Sequence, residues 1–188
     1  MNNLFIILGK TASGKDKTVN ELISKYDFNK IITYTTRPMR KNEEQDITYH
    51  FVSENDFKQK INDNFFVEWK TYDTEFGVWY YGTALDDLEN VDNNSVIILT
   101  PAGYRDIIKK ISKRPISILI DADDKTIKKR LIKRGDNPKE AERRLVHDIE
   151  DFKGIENEVD YIINNNDGTN INDVIKEILE ITTKRRDS

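Results

Sequence analysis

The 188-residue sequence predicts an α/β fold, a parallel central sheet covered by helices, on three observations. Apolar runs alternate with stretches of helical periodicity, the pattern of strands feeding crossover helices. The first run, Leu4-Phe5-Ile6-Ile7-Leu8, opens directly into a turn flanked by Gly9 and Gly14, with a helix-like segment behind it. Between the second and third runs, a stretch rich in aromatic and β-branched residues breaks the alternation. The length suits one compact domain over residues 1–188, large enough to bury a substantial core.

Leu4–Leu8 is the first strand and residues 15–25 its helix. Ile31–Thr33 reads as the second central strand. Within 35–91, Thr48–Val52, Phe66–Trp69 and Val78–Tyr81 read as strands, and Ser53 opens a helical pattern through Phe57 and Ile61. This segment predicts a small antiparallel insertion over the C-terminal edge of the sheet, where α/β proteins bind ligands. Val96–Leu99, Ile116–Ile120 and Tyr161–Ile163 complete the central strands. Helices fall at 102–112, 124–134, 138–153 and 171–184. Asp123 or Asp124 caps the helix at 124, and Pro138 stands in the first turn of the next. Ile171, Val174, Ile175, Ile178 and Ile181 repeat at helical spacing, a core stripe without a functional signal. Lys184-Arg185-Arg186 suits a solvated helix C-terminus.

Composition narrows the function. Charged residues make up 34% and the net charge is −4, against the clustered positive charge a nucleic-acid binder needs. The chain has no cysteine, which excludes disulfides, thiolate catalysis and cysteine-ligated zinc. His50 and His147 are the only histidines, too few for a histidine-rich metal site. No apolar stretch approaches a membrane span, and the N-terminal run is too short for a signal peptide, so a cytoplasmic protein is expected.

Gly9-Lys10-Thr11-Ala12-Ser13-Gly14-Lys15-Asp16-Lys17 has the spacing of a loop whose backbone N–H groups wrap phosphates. Its glycines let the chain turn back and approach an anion closely. The following helix adds free N–H groups and a positive dipole end, and Lys15 neutralises the outer phosphates. The position that normally carries a magnesium-binding hydroxyl is Asp16. A carboxylate there is expected to meet Mg²⁺ directly or through water, with Lys10 and Lys17 nearby as compensating charge. Thr18 is the alternative hydroxyl.

A second anion site is offered by Thr33-Tyr34-Thr35-Thr36-Arg37-Pro38-Met39-Arg40. Pro38 stiffens the chain, and Arg37 and Arg40 can converge on one phosphate. Alone, such a string reads as an ordinary basic loop. Joined in order to Thr48-Tyr49-His50-Phe51-Val52-Ser53, Phe66-Val67-Glu68-Trp69 and Tyr80-Tyr81-Gly82-Thr83, it resembles guanylate kinase from Leu4 to about Asp167.

The resemblance implies a P-loop three-layer fold with a parallel sheet, a β-rich nucleoside-monophosphate-binding insertion and a helical lid. The core would be about 1–34 and 92–188, the insertion about 35–91 and the lid about 126–150. It implies that Arg37, Arg40, Tyr49 and Tyr81 hold the acceptor phosphate. Glu68 would accept from the guanine N1–H and N2–H₂, with Thr33 and Thr83 reaching O6 and Gly82 completing the motif. Arg130, Arg134 and Arg144 match the lid arginines that steady the transferring group, Arg143 less clearly, and Asn164 matches the adenine-side asparagine. Read without the resemblance, Glu68 is an exposed strand residue, and the arginines are a solvated helix face with salt bridges.

ATP and Mg²⁺ follow as donor and cofactor, GMP or dGMP as acceptor, in a monomer or homodimer without nucleic-acid or membrane partners. Thr100 stands where the family places an aspartate, and Thr71–Trp79 is about four residues longer than the resemblance leads one to expect. Both leave a deoxynucleoside monophosphate kinase of other base choice as an alternative. A non-catalytic guanylate-kinase-like binding domain is a second alternative, set against the intact Gly9, Gly14 and Lys15. A sugar-phosphate kinase conflicts with the base-pocket motifs, and an NTPase switch lacks a base-reading Asn-Lys-x-Asp.

Overall fold

The computed structural model describes residues 3–41, 43–74, 77–91, 93–136 and 138–184. Arg185 and Arg186 of the basic C-terminal run lie outside them. The central sheet holds β1 (Leu4–Leu8), β2 (Asn29–Lys30), β7 (Ser95–Ile98), β8 (Ile116–Asp121) and β9 (Tyr161–Asn164), in the order β2-β7-β1-β8-β9. Every pairing in it is parallel. Side chains of β1 alternate between two cores, as a strand buried on both faces requires. Phe5 and Ile7 pack with Val19 and Leu22 of α1 (Lys15–Lys25) and with Val174, Ile175 and Ile178 of α7 (Ile171–Lys184). Leu4, Ile6 and Leu8 pack with Leu88 of α3 (Leu85–Glu89) and Tyr104 and Ile107 of α4 (Pro101–Ile107). Three layers result, as the sequence predicts.

The second strand is a correction. Asn29 and Lys30 pair with Ser95 and Val96, and the Ile31 N–H still donates to Val96 O at 2.9 Å. Ile31–Thr33 then leaves the central sheet as a link to β3 (Tyr34–Thr35) of a second sheet. That sheet runs β4-β3-β6-β5, with β4 (His50–Phe51), β5 (Phe66–Thr74) and β6 (Gly77–Ala84). It is mixed rather than antiparallel, because β3 pairs in parallel with β4. The β5–β6 hairpin continues to Thr74 and Gly77, well beyond the apolar segments visible in the sequence. Helix α2 (Glu54–Asn62) is capped by Ser53, whose hydroxyl accepts the Asp56 N–H, and buries Phe57 under the sheet.

Helix α5 (Asp124–Arg134) starts at Asp123, whose carboxylate accepts the Thr126 N–H at 2.6 Å, and stops at Gly135 in a left-handed conformation. Helix α6 (Pro138–Asp151) follows. Helix α4 ends at Ile107 rather than 112, where the Lys110 N–H takes the Ile107 carbonyl, a three-residue turn in place of the four-residue helical bond. Among the described residues, no helix is long and apolar enough to cross a membrane.

Candidate active site

Strand β1 delivers the chain to a loop that only particular residues can make. A Cβ on Gly9 would fall 2.5 Å from Ser13 Oγ and 2.7 Å from the Ile120 carbonyl oxygen. Gly14 has φ 101°, and a Cβ there would lie 2.2 Å from Asn165 Nδ2. Ala12 takes the left-handed conformation at φ 59°, a strain of roughly 1–2 kcal/mol for a residue with a Cβ.

The loop is fastened from beneath. Arg130 Nη1 donates to Ala12 O at 3.2 Å and Ser13 O at 2.9 Å, while its Nη2 donates to Asn165 O at 2.8 Å. Asn165 Nδ2 adds a hydrogen bond to Ser13 O at 2.7 Å. With the Ser13 carbonyl turned down, the planar trans peptide aims the Gly14 N–H the opposite way, away from Arg130. Lys15 Nζ curls back to Lys10 O at 3.3 Å and sits 3.9 Å from Asp16, whose side chain is 79% exposed. Lys17 is exposed too.

Three expectations change here. Arg130 was expected over the nucleotide, yet its guanidinium is spent on loop carbonyls. Asn164 is exposed at the end of β9, and the residue that touches the loop is Asn165, because strand alternation turns 163 and 165 inward and 164 out. The Thr18 hydroxyl donates to Gly14 O at 3.2 Å, within its own helix, and is buried.

A cavity of about 760 Å³ lies between the second sheet and the end of β7, where Ile98, Leu99 and Thr100 line it. Thr33, Arg40, Tyr49, Glu68, Tyr81, Gly82, Thr83 and Thr100 all line it, so every predicted acceptor residue except Arg37 meets there. Arg37 lies behind the wall, its side chain 5% exposed. Its Nη2 and Nη1 grip Glu43 at 2.6 and 2.9 Å, and Nη1 also donates to Pro38 O at 2.8 Å. The Tyr49 ring lies 5.5 Å from its central carbon. Glu43 also accepts the Arg40 N–H at 2.8 Å and, held by Arg37, stays ionised below the usual glutamate range. Glu43 is the organiser of this site that sequence reasoning missed.

Glu68 and Thr83 face each other across the hairpin, and the Thr83 hydroxyl donates to Glu68 Oε1 at 2.6 Å. Burial pushes the Glu68 carboxyl above its ordinary range, partly offset by that hydrogen bond and by Lys70. Burial likewise raises the Tyr49 phenol, with Tyr81 adding to the shift. Gly82 serves packing as well as lining, since a Cβ there would meet the Phe57 and Phe66 rings at 2.9 Å. The Thr100 hydroxyl accepts the Gly103 N–H at 3.2 Å and caps α4, so its polar group is engaged by the backbone. The lengthened hairpin adds Tyr72 and Trp79, cross-strand partners, to the cavity wall.

Helix α6 closes the other side. Arg143 and Arg144 of α6 line the same cavity. Arg134 instead holds Asp136 through Nε at 2.6 Å and through Nη2, a pair that raises the guanidinium pKa. Ala141 and Leu145 pack with Ala12 of the loop around Ala122, Ile127 and Leu131. Asp148 Oδ2 accepts the Thr11 N–H at 2.6 Å. One helix therefore touches the loop and the cavity together.

The chain is similar to known proteins over nearly its whole length. The guanylate kinase family model matches residues 1–182. A guanylate kinase of Campylobacter jejuni is 30% identical over 184 residues, covering 94% of this chain and 84% of its own. One from Helicobacter pylori is 31% identical over 190 residues, covering 97% and 89%. The crystal structure of guanylate kinase from Anaplasma phagocytophilum superposes with a TM-score of 0.68 at 20% identity, over 98% of this chain and 86% of that one.

Proposed function

The chain belongs to the guanylate kinase family, and from that premise we propose how its residues divide the work of a nucleoside monophosphate kinase. The reaction moves the γ-phosphoryl of ATP onto the phosphate of GMP or dGMP. A bond forms between an acceptor phosphate oxygen and the γ-phosphorus, the bond to the β–γ bridging oxygen breaks, and ADP departs. Because the acceptor is already an anion, no strong general base is needed, and the protein contributes alignment, charge and exclusion of water.

In this reading residues 1–34 and 92–188 form the core, 35–91 bind the acceptor, and 126–150 act as the lid. Residues 9–17 cradle the donor phosphates, with Lys15 swinging from the Lys10 carbonyl to the outer phosphates. Arg130 and Asn165 keep the loop in shape. Arg40, Tyr49 and Tyr81 take the acceptor phosphate, with Arg37 behind the Tyr49 ring. Glu68 reads the guanine N–H edge, Thr33 and Thr83 lie beside it, and Arg134 and Arg144 supply positive charge at the transferring group. Magnesium fits the donor site: Asp16 is an exposed hard-oxygen ligand beside Lys15, and the ion binds readily to one carboxylate plus substrate phosphates. When bound, it neutralises charge on the donor phosphates.

The reading rests on one observation. Helix α6 contacts the phosphate loop through Asp148 and lines the acceptor cavity through Arg144, one turn earlier. A coupled ADP-release assay with ATP and a panel of monophosphates tests it. GMP and dGMP should be the fastest acceptors. Faster turnover of dTMP or dCMP would overturn the guanine assignment, which Thr100 leaves resting on Glu68, and no product with any acceptor would favour a binding domain.

A further inference from the structure

The donor loop is already holding an anion, and the anion belongs to the chain itself. The Thr11 N–H, which opens onto the phosphate cradle in the reading above, donates to Asp148 Oδ2 at 2.6 Å across 137 residues of sequence. Such short bonds to an ionised carboxylate are about twice as strong as neutral ones. The contact is not an isolated brush of two surfaces. Leu145 and Ala141, on the same helix, and Ala12, next to Thr11, all pack against one cluster of Ala122, Ile127 and Leu131. Asp148 follows Arg144 by four residues and shares its helix face. Whatever fixes Asp148 therefore fixes Arg144 over the acceptor cavity.

A triphosphate entering the loop brings several negative oxygens to the same row of N–H groups. A carboxylate beside them is repelled, and one N–H cannot serve both anions at full strength. We infer that Asp148 is a positioning residue that latches the lid helix to the phosphate loop and is displaced by the donor's phosphates. In the latched form, α6 is parked with Arg144 toward the cavity. ATP exchanges a phosphate oxygen for the carboxylate and releases the helix, so filling the donor site sets the lid free to rearrange around the transferring group. Apparent ATP affinity is then lowered by the fraction of molecules that are latched.

The inference rests on reading residues 9–17 as the donor cradle, and the experiment separates the two. ATP and GMP affinities are measured by calorimetry, each nucleotide alone, for the unaltered protein, Asp148→Asn and Asp148→Ala. Asp148→Ala should bind ATP about tenfold more tightly. Asp148→Asn, whose amide oxygen still accepts but carries no charge, should fall between it and the unaltered protein. Thermal melting midpoints near that of the unaltered protein report that the variants are folded. In turnover, the variants should lower the KM for ATP. ATP affinity unchanged or weakened in both variants overturns the latch. An unaltered protein that binds no ATP overturns the donor-loop reading on which the latch stands.

Discussion

Arg37 and Arg134 each grip a carboxylate through two nitrogens, but the two pairs belong to different kinds of structure. Arg37 and Glu43 have side chains only 5% and 14% exposed, and the pair is roofed by the rings of Tyr49 and Phe51. Arg134 and Asp136 stand two residues apart at a helix end, and the difference lies in the arginine: its side chain is 54% exposed while Asp136, at 17%, resembles Glu43. An ion pair stripped of water holds its partners firmly, because losing one leaves the other buried and uncompensated. A pair bathed in solvent contributes little and exchanges easily. The acceptor half thus has its positive charge set when the protein folds. The charge of Arg134 instead sits at a helix end, on a carboxylate two residues away.

The contrast predicts opposite phenotypes for substitutions on the two sides. On the acceptor side, Glu43→Ala leaves Arg37 buried without its carboxylate and should destabilise the protein by about 3 kcal/mol. Thermal melting should show a midpoint lower by roughly 6–12 °C for a chain of this size. A stability near that of the unaltered protein would mean that the acceptor charge is as loosely held as the donor's.

On the donor side, Gly9→Ala places a Cβ against the Ile120 carbonyl oxygen and Ser13 Oγ, which displaces the loop without touching the acceptor wall. It should cut kcat/KM for ATP about 100-fold, the usual result of misaligning reacting groups. The affinity for GMP should stay as it was. An equal loss of GMP binding would show that the halves are not separable.

The smallest effect concerns base reading. Glu68 accepts N–H groups only when ionised, and burial raises its pKa. GMP binding should therefore be complete above that raised pKa and weaken as pH falls through it, on the acid side but above the ordinary glutamate range. Glu68→Gln should lose about tenfold in GMP affinity at neutral pH and flatten that acid limb. A limb that persists in Glu68→Gln would assign it to another group.

Much of this was legible in the sequence wherever the signal is local. Strand β1 and helices α1, α5 and α7 run over the residues expected, because an apolar run or stripe ends at a clear stop such as Gly135. The β5–β6 hairpin was read short, since its outer half carries Lys70, Thr71 and Asp73 in place of an apolar run. Strand β2 was misplaced by two residues because the apolar Ile31 and Ile32 lie in the link between sheets. The motif residues of the acceptor site converge, but the groups that hold them in place do not announce themselves. Glu43 pairs with an arginine six residues away inside an irregular loop. Arg130 and Asp148 reach the phosphate loop from more than a hundred residues downstream. Their roles depend on a meeting in space, and charge runs of this kind read equally well as solvated helix faces.

Gly82 carries a consequence beyond its place in the cavity wall. The strand with Tyr81 and Thr83 is pressed at this residue against the rings of Phe57 and Phe66, themselves stacked 4.4 Å apart. Helix α2 and the hairpin are therefore welded through aromatic faces and open or stay shut as one cooperative unit. The cavity wall at Tyr81 and Thr83 cannot fray by itself, and its order is inherited from the aromatic rings behind it.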